Sequence, residues 1–471
     1  MSAPAVEALH RALYHATEYI GGLDERSVAA TVRLEELRAR LGGTLPTEGT
    51  DPARVIDELV ANTVGGHLGY ASGRFFAWVS GGSLTAALAA DWLTATWDQN
   101  AALYACGPAA AVVEEIAGTW LKDLLGLPPE ASFAFTTGCQ LAHFTCLAAA
   151  RHAVLRDAGW DVGAEGLFGA PPVRVVTSDQ RHGSVDRAVR YLGLGARSLI
   201  AVPTDADGQI NPATFRTVVT PGQGPTIVVL DAGDLNIAAF DPFAELIPLA
   251  KAAGAWVHID GAFGLVACAS RSKRPLLAGI DRADSWATDG HKWLNVPFDS
   301  GLAVVRDREA HRASMTISAN YIAAEGGARD QINWNPEWSR RARGFALYAA
   351  LRELGRTGVE QLVDRSCAQA RALVTGIGTL TGAEVLWTPH LNQGLVRFRA
   401  LRSGATEADH DARTDAVIAA VNATGEAFFS GTTWRGKRAM RVSVVNWRTT
   451  EDDVRRTVAA VASVLRRDLR S

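Results

Sequence analysis

Lysine is scarce in this chain: only five of the 47 basic residues are lysine, at positions 122, 251, 273, 292 and 437. Cysteine is scarce too. Its five residues form no C-x-x-C pair and lie near no suitably spaced histidine cluster, so neither disulfides nor a metal site is expected. No apolar run approaches the ~20 residues of a membrane span, and the opening MSAPAVEALHRALYHATEYI is amphipathic rather than signal-like. Neither charge is in excess at a net of -3, and the arginine-rich stretches around Arg271 and Arg340 have acids nearby, so they read as solvated faces rather than a nucleic-acid footprint. No G-x-G-x-x-G opens a helix and no Lys-Ser/Thr follows a glycine loop, which disfavours a nucleotide fold. What is left is the composition of a cytoplasmic globular protein, too long at 471 residues for one simple core.

From about residue 133, β-branched apolar runs alternate with helix-period segments. The runs are SFAFTT (132–137), VRVVTS (173–178), SLIAVP (198–203), TIVVLDAG (226–233), AWVHIDGAF (255–263), SWATDG (285–290) and GLAVVR (301–306). Such alternation predicts an α/β fold, a mostly parallel sheet with helices on both faces. Residues 1–70 read as a helical N-terminal segment, 71–310 as the large domain, and 311–471 as a loop followed by a small α+β domain. In a doubly wound sheet ligands bind beyond the carboxyl ends of the strands. Attention therefore falls on the residues that end the runs.

Four lysines have structural explanations. Lys122 falls opposite the apolar stripe Ile116, Trp120, Leu121 and Leu124; Lys251 sits in the last helical turn before Gly254; Lys273 and Lys437 lie among arginines in loops. Lys292, in TDGHKWLNVPF (288–298), follows a strand end and is flanked by apolar residues. Desolvation there would lower its pKa and free the amine for a Schiff base. Asp260 ends another strand, where an acid is costly unless a cation meets it. His182 follows a third strand end, and its planar ring could stack on a ligand. The strand, turn and helix of FTTGCQLAHFTC could bring backbone N–H groups, Thr137 and Gln140 to a phosphate. A buried structural lysine, a turn-capping aspartate and a capping histidine also satisfy these positions.

Together, RFFAWVSGG, LAADWLTATWDQNA, TTGCQLAHFTCLAAAR, SDQRHGSVDRAVRYLGLG, HIDGAFG, DGHKWLNVPFDSG and SRRARGFALYAALRELGRTG resemble, in order and spacing, the pyridoxal-phosphate-dependent group II amino-acid decarboxylases. These have the aspartate-aminotransferase fold (fold type I). The resemblance runs from about residue 55 to the C-terminus. It implies that Lys292 carries pyridoxal 5'-phosphate as a Schiff base, that Asp260 pairs with the ring nitrogen and that His182 stacks on the ring. It further implies that Gly138, Cys139, Gln140 and His291 surround the phosphate beside Thr137, and that the protein is a homodimer with active sites at the interface; the composition gives it no nucleic-acid or membrane partner.

Two departures stand out. Where relatives carry T-x-G-T-T, this chain reads Asp231-Ala232-Gly233-Asp234-Leu235-Asn236, leaving Asn236 as the substitute near the ring; and AAEGGARDQINWNPEW (323–338) lacks the tyrosine of the family's mobile loop, the nearest being Tyr321. The implied reaction is removal of the α-carboxylate of an L-amino acid as CO2, leaving an amine. Tyr321 and His182 are the candidate proton donors to the α-carbon. The alternatives on the same cofactor are oxidative deamination to an aldehyde, transamination and retro-aldol cleavage. Transamination would be favoured if Arg441 clamped a substrate carboxylate.

Overall fold

The structure, a computed structural model, describes residues 3–316 and 327–468. The chain divides into two compact units, one made of Met1–Ser80, Gln369–Thr388 and Gly394–Ser471, the other of Gly81–Ala368 and Pro389–Gln393. Among the described residues no helix is long and apolar enough to cross a membrane.

The second unit is built on seven strands: β1 (Ser132–Thr136), β2 (Arg174–Ser178), β3 (Leu199–Val202), β4 (Thr226–Asp231), β5 (Trp256–Asp260), β6 (Ser285–Asp289) and β7 (Gly301–Val305). They lie in the order β1-β7-β6-β5-β4-β2-β3. Every predicted run becomes a strand. β1, β4, β5, β6 and β7 are buried along their whole length, which is why they read as continuous apolar runs rather than alternating ones. All the strands run parallel except β7, which pairs antiparallel with both β1 and β6. The carboxyl ends of β1, β2, β4, β5 and β6 therefore share one edge, with Asp231 in register with Asp260.

Helices α4 (Thr85–Trp97), α5 (Pro108–Leu125), α6 (Cys139–Asp157), α7 (Val162–Glu165), α8 (Gly183–Tyr191), α9 (Pro212–Val218), α10 (Phe243–Ala252) and α11 (Arg308–Met315) belong to this unit. α6 buries Ala142, Cys146, Ala149, Ala150 and Ala153. Its alanines let the helix lie close to the sheet, in a core shared with Val175, Val229, Ala287 and Ala303. The last long helix, α12 (Gly344–Gly378), is broken at Gly355, whose φ of 59° is open to glycine at little cost.

The first unit holds α1 (Ala3–Gly21), α2 (Leu34–Leu41) and α3 (Pro52–Thr63) from the N-terminal segment, with α13 (Glu407–Ala423) and α14 (Glu451–Asp468). It also holds β8 (Ala383–Trp387), β9 (Gln393–Phe398), β10 (Ser430–Trp434) and β11 (Lys437–Ser443), which form a second sheet in the order β10-β11-β9-β8. Its core joins Phe76, Leu373, Val396, Phe398, Val421, Phe429 and Val461. Arg441 lies buried on β11, in register with Ser430 of this sheet.

Two expectations are overturned. On α5 it is Lys122 that is buried, donating to the carbonyls of Pro129 and Ala131 at 2.5 and 2.7 Å, while Ile116 and Trp120 are exposed. The lysine binds the carbonyls of the turn into β1, and that local demand outweighs the helix's apolar period. Arg340 is likewise no solvated residue. It is fully buried, with Glu114 oxygens at 2.8 and 2.9 Å and the Phe135 carbonyl at 2.9 Å. This anchors the end of β1.

Candidate active site

The site is assembled at the shared carboxyl edge. β6 ends in Asp289, and the turn that follows carries His291 and Lys292. Lys292 Nζ lies 3.0 Å from Asp289 Oδ2. The other oxygen of Asp289 accepts from the Cys139 backbone N–H, at the start of α6, at 2.6 Å. Asp289 thus ties the amine-bearing turn to the first turn of a nineteen-residue helix.

The expected depression of the Lys292 pKa is reversed here. Burial, the largest single influence, pushes it down, but the carboxylates around it, Asp289 foremost by charge and hydrogen bond and then Asp260, together hold the ammonium above its usual range. His291 takes the Ser300 backbone N–H on Nδ1 at 3.2 Å, leaving Nε2 toward Asp289 Oδ1 at 3.6 Å. Burial lowers its pKa, so the ring is neutral.

Asp260 closes β5 and is buried. Its Oδ1 accepts the Ala262 N–H at 3.1 Å, and its Oδ2 lies 3.3 Å from His143 Nε2. Burial would raise its pKa, but His143 foremost, then His182 and Lys292, hold it below the carboxylate range. Asp231, on the neighbouring strand, goes the other way. Burial and the charges of Asp241 and Asp260 raise it, and the Ser178 hydroxyl donates to it at 2.7 Å. One carboxylate of this adjacent pair is ionised, and its neighbour is driven toward the neutral acid.

His182 is the N-cap of α8. Its Nδ1 accepts the Ser184 N–H at 3.2 Å, and the ring is exposed. Gln140 reaches the same helix start, donating to the Ser184 carbonyl at 3.2 Å. Gly138 is packed so tightly that a β-carbon on Gly301 would stand 2.5 Å from its Cα. Of the residues expected around a phosphate, Cys139 has its N–H committed to Asp289 and its thiol held neutral by burial, while Thr137, Gly138 and Gln140 line the same turn. Asn236 is buried in a turn capped by Asp234, whose carboxylate accepts the N–H groups of Asn236 and Ile237 at 3.3 and 2.8 Å. Tyr321 lies outside the described residues.

Asp289 and His143 emerge only from the structure. Asp289 shares with Asp260 an Asp-Gly step at the end of an apolar run, and His143 stands one helical turn after Cys139; both signals were available in the chain.

An amine, an ionised buried carboxylate and a helix N-terminus on one sheet edge form a donor set that fits pyridoxal phosphate: a carbonyl anchor, a partner for a protonated ring nitrogen and an anion cradle. Residues 35–401 match the family model described as the pyridoxal-dependent decarboxylase conserved domain. The chain is 27% identical to an aromatic-L-amino-acid decarboxylase of Bacillus atrophaeus, over 93% of this chain and 90% of that protein. It is 30% identical to an L-2,4-diaminobutyrate decarboxylase of Rhizobium meliloti, over 81% and 75%. A crystal structure of Oryza sativa TDC with PLP and tryptamine superposes with a TM-score of 0.92, covering 99% of each chain at 25% identity. The chain therefore belongs to the pyridoxal-dependent decarboxylases, carboxy-lyases that use pyridoxal phosphate to release CO2 from an amino acid.

Proposed function

We propose that the α-carboxylate of an L-amino acid is removed at this edge, with Lys292 as the covalent anchor of the cofactor, Asp260 as the partner of its ring nitrogen and His182 as the stacking imidazole. The observation that supports this reading is the convergence of Asp260, the Asp289–Lys292 pair and the first turn of α6 on adjacent strand ends. When bound, pyridoxal phosphate supplies an electron sink for the pair left behind as CO2 departs. The protein's part is to place the groups. Asp289 orients the Lys292 amine and, until the cofactor is attached, holds it as an ammonium. Thr137, Gly138 and Gln140 receive the phosphate at the positive end of α6. His182, its ring oriented by the Ser184 bond, and Tyr321 are the candidates to return a proton to the α-carbon.

We place the enzyme in the cytoplasm as a homodimer. All five cysteines are free, in keeping with a reducing compartment. Trp92, Leu93 and Trp97 on α4 and Trp120 on α5 are apolar and exposed on the single chain, a surface suited to a second copy.

Borohydride reduction of the loaded enzyme followed by peptide mapping tests the anchor; a pyridoxyl adduct anywhere but Lys292 defeats the assignment. A panel of L-amino acids scored for CO2 identifies the substrate. A second reading, conversion of substrate, O2 and water to aldehyde, CO2, ammonia and peroxide, rests on the tyrosine-free stretch 323–338. Equimolar ammonia and peroxide beside CO2 would select it.

A further inference from the structure

Beneath Asp260 runs a line of polar groups that the reaction does not touch. Trp256, His258 and Asp260 alternate along β5 and so share one face. The Trp256 indole N–H donates to Ser285 Oγ on β6 at 2.9 Å, Ser285 Oγ lies 2.9 Å from His258 Nδ1, and His258 Nε2 lies 2.9 Å from His143 Nδ1 on α6. His143 Nε2 then faces Asp260 Oδ2 at 3.3 Å. All five side chains are buried.

The two ends set the direction of this chain. An indole can only donate, and an ionised carboxylate can only accept. With Ser285 taking the indole proton, its own hydroxyl proton goes to His258 Nδ1. His258 is kept neutral, burial pushing its pKa down to about 3, so its one proton sits on Nε2 and is donated to His143 Nδ1. The His143 proton is then on Nε2, aimed at Asp260. The opposite order would set a lone pair of His143 against the carboxylate. With a neutral His143, every buried donor and acceptor along the line is matched in the first order alone.

Cys139 Sγ, 3.4 Å from His143 Nε2, completes a triangle with Asp260 whose ligand atoms lie within 4.8 Å of one another. With the thiol held protonated by burial and by the Asp289 charge, the triangle lacks the thiolate a soft cation would require.

We infer that His143 is a positioning residue, locked in its Nε2–H tautomer by the Trp256–Ser285–His258 line, and that it holds Asp260 ionised and turned toward the cofactor's ring nitrogen. The inference rests on the reading of Asp260 as that nitrogen's partner.

The test begins with the apoenzyme carrying 15N-histidine. His143, assigned by its loss in H143Q, is expected as a single neutral Nε2–H tautomer; an Nδ1–H tautomer or an imidazolium overturns the inference. Cofactor affinity then separates the two claims, each variant being checked for folding by circular dichroism. Removing a hydrogen bond to a charged group is expected to weaken cofactor binding by about tenfold or more in H143L, whereas H143Q, which keeps an N–H near the Nε2 position, stays within roughly threefold of the parent. If Asp260→Ala weakens binding and H143L does not, the inference about His143 falls while the reading of Asp260 stands. If neither weakens it, both fall.

Discussion

Asp289 holds Lys292 by charge, its Oδ2 lying 3.0 Å from the amine while its Oδ1 is anchored on the Cys139 N–H. A buried lysine is commonly thought of as a desolvated, depressed amine, yet here the surrounding carboxylates, Asp289 foremost, hold it up against burial. In Asp289→Asn the foremost of these anions is gone. The Lys292 pKa should then fall, so the apoenzyme's amine should react with an acylating reagent on the order of tenfold faster near neutral pH. An unchanged labelling rate on the Lys292 peptide would show that Asp289 does not govern the amine.

The turn carrying Lys292 is closed by Gly81. A β-carbon there would sit 1.9 Å from the Lys292 carbonyl oxygen and about as far from relief, since that atom is backbone. Gly81→Ala should cost roughly 1–3 kcal/mol of stability through overpacking, and the displaced turn should weaken cofactor retention. Thermal unfolding and absorbance of the loaded enzyme read the two effects. A variant with parental melting and parental absorbance would refute the contact.

Glu114 and Arg340 are both fully buried, and Arg340 also grips the Phe135 carbonyl at the end of β1. Burial raises the Glu114 pKa, opposed by Arg340. Removing one partner strands the other charge, so Glu114→Gln should destabilise the protein by about 3–5 kcal/mol, whereas the double change Glu114→Leu with Arg340→Met should cost less than either single change. Denaturant titration decides, and additive losses would argue against a coupled pair.

His258 and His311 are buried and neutral, each with its pKa pushed down to about 3 by burial, with the Arg329 charge adding to it at His311. In the unfolded chain they titrate near 6.5. Between those values the unfolded state binds more protons, so stability is full above about pH 6.5 and is lost as pH falls toward 3, at up to about 1.4 kcal/mol per pH unit for each histidine. Unfolding measured between pH 7 and 4 should show that slope, and His311→Gln should flatten it. The same slope with and without His311 would contradict the burial of a neutral ring.

The sheet was legible because strands buried on both faces must be largely apolar, as β1, β4, β5, β6 and β7 are, while β2 and the edge strand β3 still carry short apolar, β-branched runs. The direction of β7 was not, since nothing local distinguishes a strand that returns from one that advances. β10 is illegible in the chain for a different reason: SGTTW is half-exposed and carries no apolar run. Lys292 and Asp260 stood out because a charged group at the end of an apolar run is costly without a partner. Lys122 and Arg340 did not, because their partners are main-chain carbonyls and a distant glutamate that no spacing rule brings near. Asp289 was read as the end of a strand and no more; its role appears only once the start of α6 is laid against it.

The reversed strand β7 puts Gly301 beside Gly138, backbone against backbone, at the base of the phosphate turn. A floor made of main chain offers no side chain for drift or selection to reshape, and a substitution at Gly301 would have to move the strand itself. Any change at this pair is therefore felt as a displacement of main chain, and engineering should leave it alone.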